Sequence, residues 1–515
     1  MTMAVGVTAT VWDPDAGAIG AAAISAAAIS AAAISRGRIG RHPSRGRPRR
    51  FRAAREVPTT DARPARCYYR ELTVALEFFG LLDSIPRPDA PQTRRILFAS
   101  LIGTTIEFFD FYIYATAAVL VFPKLFFPKG DPATAMLQSL ATFALAFFAR
   151  PIGSALFGHF GDRIGRKATL VTALLTMGIS TVCIGLLPTY ASIGVWAPGL
   201  LALCRIGQGV GLGGEWGGAV LLATENAPPG KQAWYGSFPQ LGAPLGFLCS
   251  TGVFLLMSNH LNETQLFSWG WRVPFLASAA LVLVGLYVRL QLVETPAFLR
   301  SVAQGERVRV PFAVVFAKFH RRLILGTLGA TTVFVVFYLM TVFALGWATS
   351  SLGFGRQQFL ILQMAGVLFF GLAIPLSAII ADRISESAML MIATVLIIAF
   401  GFAFRPLFSA HSEWSVFLFL ALGFSLTGLA YGPLGSALAK MFPTAVRYTA
   451  TSLSFNFAGI LGASLAPSIA TFLASHYGVA YVGYYLSAAG LVTLIALLLI
   501  GAEGAQKKRL EGDQR

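Results

Sequence analysis

The chain has 515 residues, 56% of them hydrophobic and 12% charged, with a mean hydropathy of +0.68. A soluble domain carries about 25% charged residues, so this chain has too little polar surface to cover a globule in water, and lipid must solvate most of it. Its net charge of +17 does not indicate nucleic acid: the basic residues sit in an N-terminal tail and in short loops between apolar runs, not on one folded patch.

Residues 1–93 differ from the rest. AAAIS is repeated three times over 21–35, and an Arg-rich stretch without lysine follows from Arg36 to Arg70. This composition predicts a disordered, cytoplasmic, low-complexity extension. A membrane span over 16–35 fits less well, because Ala and Ser insert weakly. A signal peptide fits worse, because the positive charges follow the apolar run.

From Arg94 onward, apolar runs long enough to span a bilayer recur near 96–122, 135–160, 168–188, 195–224, 234–258, 269–291, 322–349, 357–381, 388–407, 414–439, 448–474 and 478–501. The third and fourth runs are separated by a tight turn near Pro188. With the N-terminus inside, the cytoplasmic segments after the tail hold twenty Lys and Arg and the opposite side holds five: Lys124, Lys129, Arg272, Arg356 and Arg405. That asymmetry predicts cytoplasmic termini and an even number of spans. The fold expected is all-α: twelve transmembrane helices in two six-helix pseudo-repeats, 94–291 and 321–502. A central cytoplasmic loop covers 292–320 and a cytoplasmic tail 503–515. The halves echo each other at offsets near 220 residues: GDRI at 161–164 against ADRI at 381–384, and SFPQLGAPLG at 237–246 against SFNFAGILG at 454–462.

The loop after the second run reads GHFGDRIGRK, from Gly158 to Lys167. Gly158 and Gly165 permit close packing and a sharp turn. Asp162 can accept from helix N-termini or from Arg, while Arg163, Arg166 and Lys167 can meet carboxylates or helix C-termini. This predicts a gating clasp that forms in one state and breaks in another.

Five charges well inside the runs stand out, all in the first half: Glu107, Asp110, Arg150, Arg205 and Glu215. Each costs about 2.5–3.5 kcal/mol or more to place there, so each needs a reason. Glu107 and Asp110 stand at i and i+3, with Tyr114 continuing that face. Two close carboxylates in low dielectric cannot both ionise cheaply, so one of them is a candidate proton carrier. Arg205 can hold a carboxylate charged and release it when helices move. Arg150 is a gating contact or a substrate anchor. Tyr112, Tyr114, Gln208, Gln240, Tyr338, Gln363, Tyr431 and Asn456 are neutral groups that could complete a substrate site, although any one of them is more often an interhelical hydrogen bond. Two intramembrane arginines favour an anionic or zwitterionic solute. His159 and His476 lack partners at ligand spacing, and Cys67, Cys183, Cys204 and Cys249 form no CxxC pair, so no metal site is expected.

Six ordered segments carry a resemblance: GTTIEFFDFYIY (103–114), FARPIGSALFGHFGDRIGRK (148–167), CRIGQGVGLGGEWGG (204–218), WGWRVPF (269–275), ETPAF (294–298) and FPTAVRYTATSLSFN (442–456). Over about 94–505 the chain resembles the major facilitator superfamily, and within it the metabolite:proton symporters that carry oxoglutarate, citrate, shikimate or proline and betaine. The resemblance implies a monomeric plasma-membrane (inner-membrane) carrier driven by the proton gradient, with no cofactor, taking a small metabolite and protons as partners. It also gives Arg205 and Glu215 roles in proton coupling, beside Glu107 and Asp110, whose candidacy rests on their shared face. A proton-linked exporter of the same superfamily is the alternative, on the strength of GAPLG at 242–246; a non-transporting membrane sensor is a further one. An enzyme is not expected, since no HExxH or GxSxG occurs.

Overall fold

The computed structural model describes residues 90–512, except 129, 292–293, 305–307, 309 and 409–411. Of the N-terminal extension expected over 1–93, residues 1–89 lie outside the described residues, whereas 90–93 are not disordered but form the start of the first long helix. Within the described residues no strand occurs, and twelve long helices dominate.

These helices are α1 (Ala90–Leu120), α2 (Pro132–Arg163), α3 (Arg166–Leu186), α4 (Trp196–Glu225), α5 (Gln232–Met257), α6 (Arg272–Leu290), α7 (His320–Ser351), α8 (Arg356–Arg383), α9 (Glu386–Phe408), α10 (Glu413–Lys440), α11 (Thr444–Tyr477) and α12 (Val479–Gly512). Eleven are long and apolar enough to cross a membrane by length and composition. The exception is α4, which at 30 residues has the length but is diluted by glycine, Arg205, Gln208 and Glu215. Its residues from Gly211 to Thr224 are buried, so that stretch is solvated by protein and need not be apolar. The turn expected near Pro188 is longer than a tight turn and holds one turn of helix, Tyr190–Ile193. The central loop carries two short helices, Pro296–Ala303 and Pro311–Lys318.

The packing repeats. In the first six helices α1 packs on α5, α2 on α4, and α3 on α6; in the last six, α7 packs on α11, α8 on α10, and α9 on α12. Across the halves α2 meets α11, and α5 meets α8. This is the pattern two parallel copies of a six-helix unit produce.

Small residues set the closest seam. A Cβ at Gly153 of α2 would collide with the carbonyl of Val210 on α4, and one at Gly213 of α4 would collide with the carbonyl of Arg150. Lipid offers no hydrophobic drive between helices, so such backbone approach, made possible by glycine, is what packs them. In the second half, α7 and α11 each contain a π-turn, at Leu339–Phe343 and Ile460–Ser464.

Candidate functional site

A cavity lies between the halves. From the first half it takes Glu107, Phe108, Tyr112, Arg150 and Trp216, and from the second Phe334, Phe337, Tyr338, Phe370, Tyr431, Phe455 and Asn456. Trp216 of α4 stacks on Phe455 of α11, with ring centroids 3.5 Å apart. Arg150 rests its guanidinium on the rings of Phe111 and Phe147, at 4.6 and 4.7 Å. Its Nε and Glu107 Oε2 are buried without hydrogen-bond partners. Such groups are costly unless something else satisfies them, so they mark where a ligand or proton can act.

Several neutral candidates are already committed. Gln240 accepts from Trp216 Nε1 and donates to the Tyr431 carbonyl, both at 2.8 Å. Asn456 Nδ2 donates to Ser154 Oγ and to the carbonyls of Gly213 and Ser452. Gln208 accepts from Arg205 Nη1 and donates to Thr181. Gln363 donates to the carbonyls of Met340 and Thr341. Tyr114 donates to Thr142 Oγ1 at 2.7 Å and does not line the cavity.

The first-span carboxylates part company. Residues at i and i+3 differ by about 60° around a helix, and here Glu107 lines the cavity while Asp110 accepts from Ser278 of α6 at 2.6 Å. Arg205 is fully buried and lies 4.0 Å over Tyr114, 4.7 Å over Phe111 and 4.9 Å over Phe143. The pairing expected between Arg205 and a first-span carboxylate is absent among the described residues. Of the two arginines expected to favour an anion, Arg150 lines the cavity and Arg205 does not. Glu215 is ion-paired with Arg289 of α6, which also donates to the Leu170 carbonyl at 2.7 Å. Sequence reasoning missed Arg289 by assigning it to the loop charges, although it stands inside the run 269–291.

At the other end of α2, Asp162 accepts from the backbone N–H groups of Tyr448 (3.1 Å) and Thr449 (3.0 Å) and from Thr449 Oγ1 (2.8 Å), at the start of α11. The carboxylate satisfies donors that a helix N-terminus leaves without partners. Arg166 lies 3.5 Å from Asp162 and 3.6 Å from Glu225, and Glu225 is 3.2 Å from Arg447 and accepts from Thr295 at 2.6 Å. Gly158 lets α2 approach α11, since a Cβ there would sit 2.7 Å from the Thr449 Cα. Arg163 meets His159 at 3.2 Å, and Lys167 donates to the Leu290 carbonyl at 2.6 Å. The repeat supplies a second cap: Asp382 of α8 accepts from the N–H groups of Ala233 (2.8 Å) and Trp234 (2.9 Å), at the start of α5. Glu225 and Asp382 were not singled out from the sequence; Glu225 stands one residue beyond the run 195–224, and Asp382 was visible in ADRI. Among the described residues no cluster of His, Cys, Asp and Glu could hold a metal ion.

Comparison with known proteins agrees with this architecture. Residues 96–311 match the family model "Sugar (and other) transporter". The chain is 57% identical over 411 residues to the inner membrane metabolite transport protein YhjE of Escherichia coli K12, covering 79% of this chain and 93% of that one. It is 35% identical to the shikimate transporter of the same organism, covering 79% and 94%. The solved proton:xylose symporter XylE superposes with a TM-score of 0.65 at 17% identity, over 80% of this chain and 96% of that one, which is a likeness of fold. Twelve transmembrane helices in two pseudo-repeats, an inter-half cavity and these relatives lead to one conclusion: the chain belongs to the major facilitator superfamily, among its sugar and metabolite transporters, and is a carrier and not an enzyme.

Proposed function

We propose that the protein is a proton-coupled symporter of a small carboxylate or zwitterionic metabolite, working by alternating access in the plasma (inner) membrane with both termini cytoplasmic. The observation that carries this reading is the cavity between the halves, which holds one carboxylate, Glu107, and one guanidinium, Arg150, neither ion-paired among the described residues. The bundles 94–291 and 321–502 are the moving bodies, and the Asp162 and Asp382 caps close one side of the cavity. The excess of Lys and Arg on the loops of that side supports its being cytoplasmic. The relative YhjE of Escherichia coli is an inner membrane metabolite transport protein, which supports the location.

In this reading the proton loads onto Glu107 or Asp110 and the solute anion binds Arg150. Arg205, stacked on aromatic rings and not salt-bridged here, takes up a first-span carboxylate when that carboxylate loses its proton. Proton occupancy is thereby tied to helix position, a two-state element biased by a ligand. The test uses purified protein in liposomes. At least one of Glu107→Gln and Asp110→Asn abolishes uptake driven by an acid exterior and keeps solute counterflow, which needs no net proton movement. If both variants still concentrate solute in response to external acid, the coupling carboxylate is elsewhere and Glu215 is next.

A further inference from the structure

We infer that the transported solute bears one carboxylate on a compact, poorly hydroxylated body, either hydrocarbon or N-alkylated, and that polyols and di- or tricarboxylates are poor substrates. The inference rests on the reading of the cavity as the solute site. It follows from counting which polar groups remain available there.

A hydroxylated solute needs a partner for each hydroxyl it brings out of water, and a site that leaves such groups unpaired rejects them strongly. Side-chain amides are the usual two-sided partners, since one group both donates and accepts. In this cavity their donors are spent. Gln240, behind the wall, bridges Trp216 and Tyr431, and Asn456 has its amide nitrogen committed to three oxygens. Thr427 donates to the Gly423 carbonyl in its own helix. The uncommitted groups are Arg150, Glu107, the amide oxygen of Asn456 and the hydroxyls of Tyr112, Tyr338 and Tyr431, for which no hydrogen bond occurs among the described residues. Most of the remaining wall is hydrocarbon and aromatic ring.

One guanidinium matches one carboxylate bidentately. A second carboxylate would face Glu107 or an aromatic wall with no cation to meet it, because Arg205 lies outside the cavity and Arg289 is spent on Glu215. The rings offer apolar area to a hydrocarbon body and π-faces to an alkylated ammonium, whose charge Glu107 balances.

The test is thermal unfolding of the purified wild-type protein, titrated with six probes. Cyclohexanecarboxylate, proline and glycine betaine have the inferred chemistry; shikimate, citrate and xylose do not. A bound ligand raises the unfolding temperature in a saturable way. At least one of the first three half-saturates at a concentration tenfold or more below any of the last three, and its primary amide loses the effect. Arg150→Ala loses the effect as well, and the amide comparison needs no variant if that protein fails to fold. Equal or tighter binding of shikimate, citrate or xylose overturns the inference, as does the absence of a shift from all of the first three. Acid-driven uptake of shikimate or xylose into liposomes would also overturn it while leaving the symporter reading intact. Binding and counterflow of the first three with no acid-driven uptake would sink the proton-coupled reading and not this one.

Discussion

The two caps at the loop end of the bundle come from the same motif and are built differently. Asp162 is 4% exposed, has the buried Arg166 beside it, and belongs to a network running through Glu225 to Arg447 and Thr295. Asp382 is half-buried, Arg383 beside it is exposed, and the nearby Lys440–Glu386 pair has its lysine side chain 51% exposed. Both aspartates hold a helix N-terminus of the opposite half. The difference teaches that the backbone contact is the shared element, and that a buried charge network surrounds the first copy where the second has only a partly exposed pair nearby. A cap bathed in solvent is screened and worth little, whereas a buried one is expensive to disturb.

The largest contrast is expected on deleting the arginines. Arg166→Ala leaves Asp162 and Glu225 without their shared buried cation and should destabilise by about 3–5 kcal/mol. Arg383→Ala should stay within about 0.5 kcal/mol. Thermal unfolding in detergent checks both, and equal effects would erase the distinction between the caps.

The turns after the two aspartates come next. Gly165 sits at φ 132°, ψ 160°, and a Cβ there would collide with the Glu294 carboxylate. That backbone region belongs to glycine, so Gly165→Ala should cost about 1–3 kcal/mol. The equivalent position in ADRIS is Ser385, whose Oγ accepts from the Ala388 N–H at 3.1 Å, and no non-glycine described residue has positive φ. Ser385→Gly should therefore cost only a few tenths of a kcal/mol.

Function is the third comparison. Asp162→Asn keeps the shape but not the charge that three donors point at, so it should slow uptake about tenfold, the effect of about 1.4 kcal/mol, while solute still binds in detergent. Asp382→Asn should slow it about two- to threefold, since its charge is already shared with water. Transport at the normal rate by the Asp162 variant would remove the clasp from the mechanism. The smallest effect is Lys440→Ala, which should leave uptake unchanged and shift stability by less than about 0.5 kcal/mol, because the pair is partly exposed.

How far these features were readable in the sequence depends on the range of the contact. Span positions follow from local hydropathy, and α4 was found as a run although glycine and charge lower its hydropathy, because its length and flanks were intact. The acceptor character of Asp162 is local chemistry. Its partners, Tyr448 and Thr449, lie 286 and 287 residues away, and nothing within the loop names them. Arg289 and Glu225 escaped notice for a different reason: charges near the end of a span look topogenic, and only packing tells a buried end from a solvated one. Glu107 and Asp110 share a face within the resolution of a helical wheel, yet a rotation of about 60° gives one the cavity and the other Ser278.

The glycine seam between α2 and α4 bears on anyone who wishes to retune the carrier. Gly213 lies against the carbonyl of Arg150, the residue that presents positive charge to the cavity, and Gly153 fixes the same helix three residues on. The smallest residues of the seam therefore act as a gauge block for a buried cation. A methyl group at either position would part the helices and carry the guanidinium with them, moving the charge without altering any residue that touches solute. Libraries confined to the cavity wall would miss this adjustment, and libraries that include the seam would reach it.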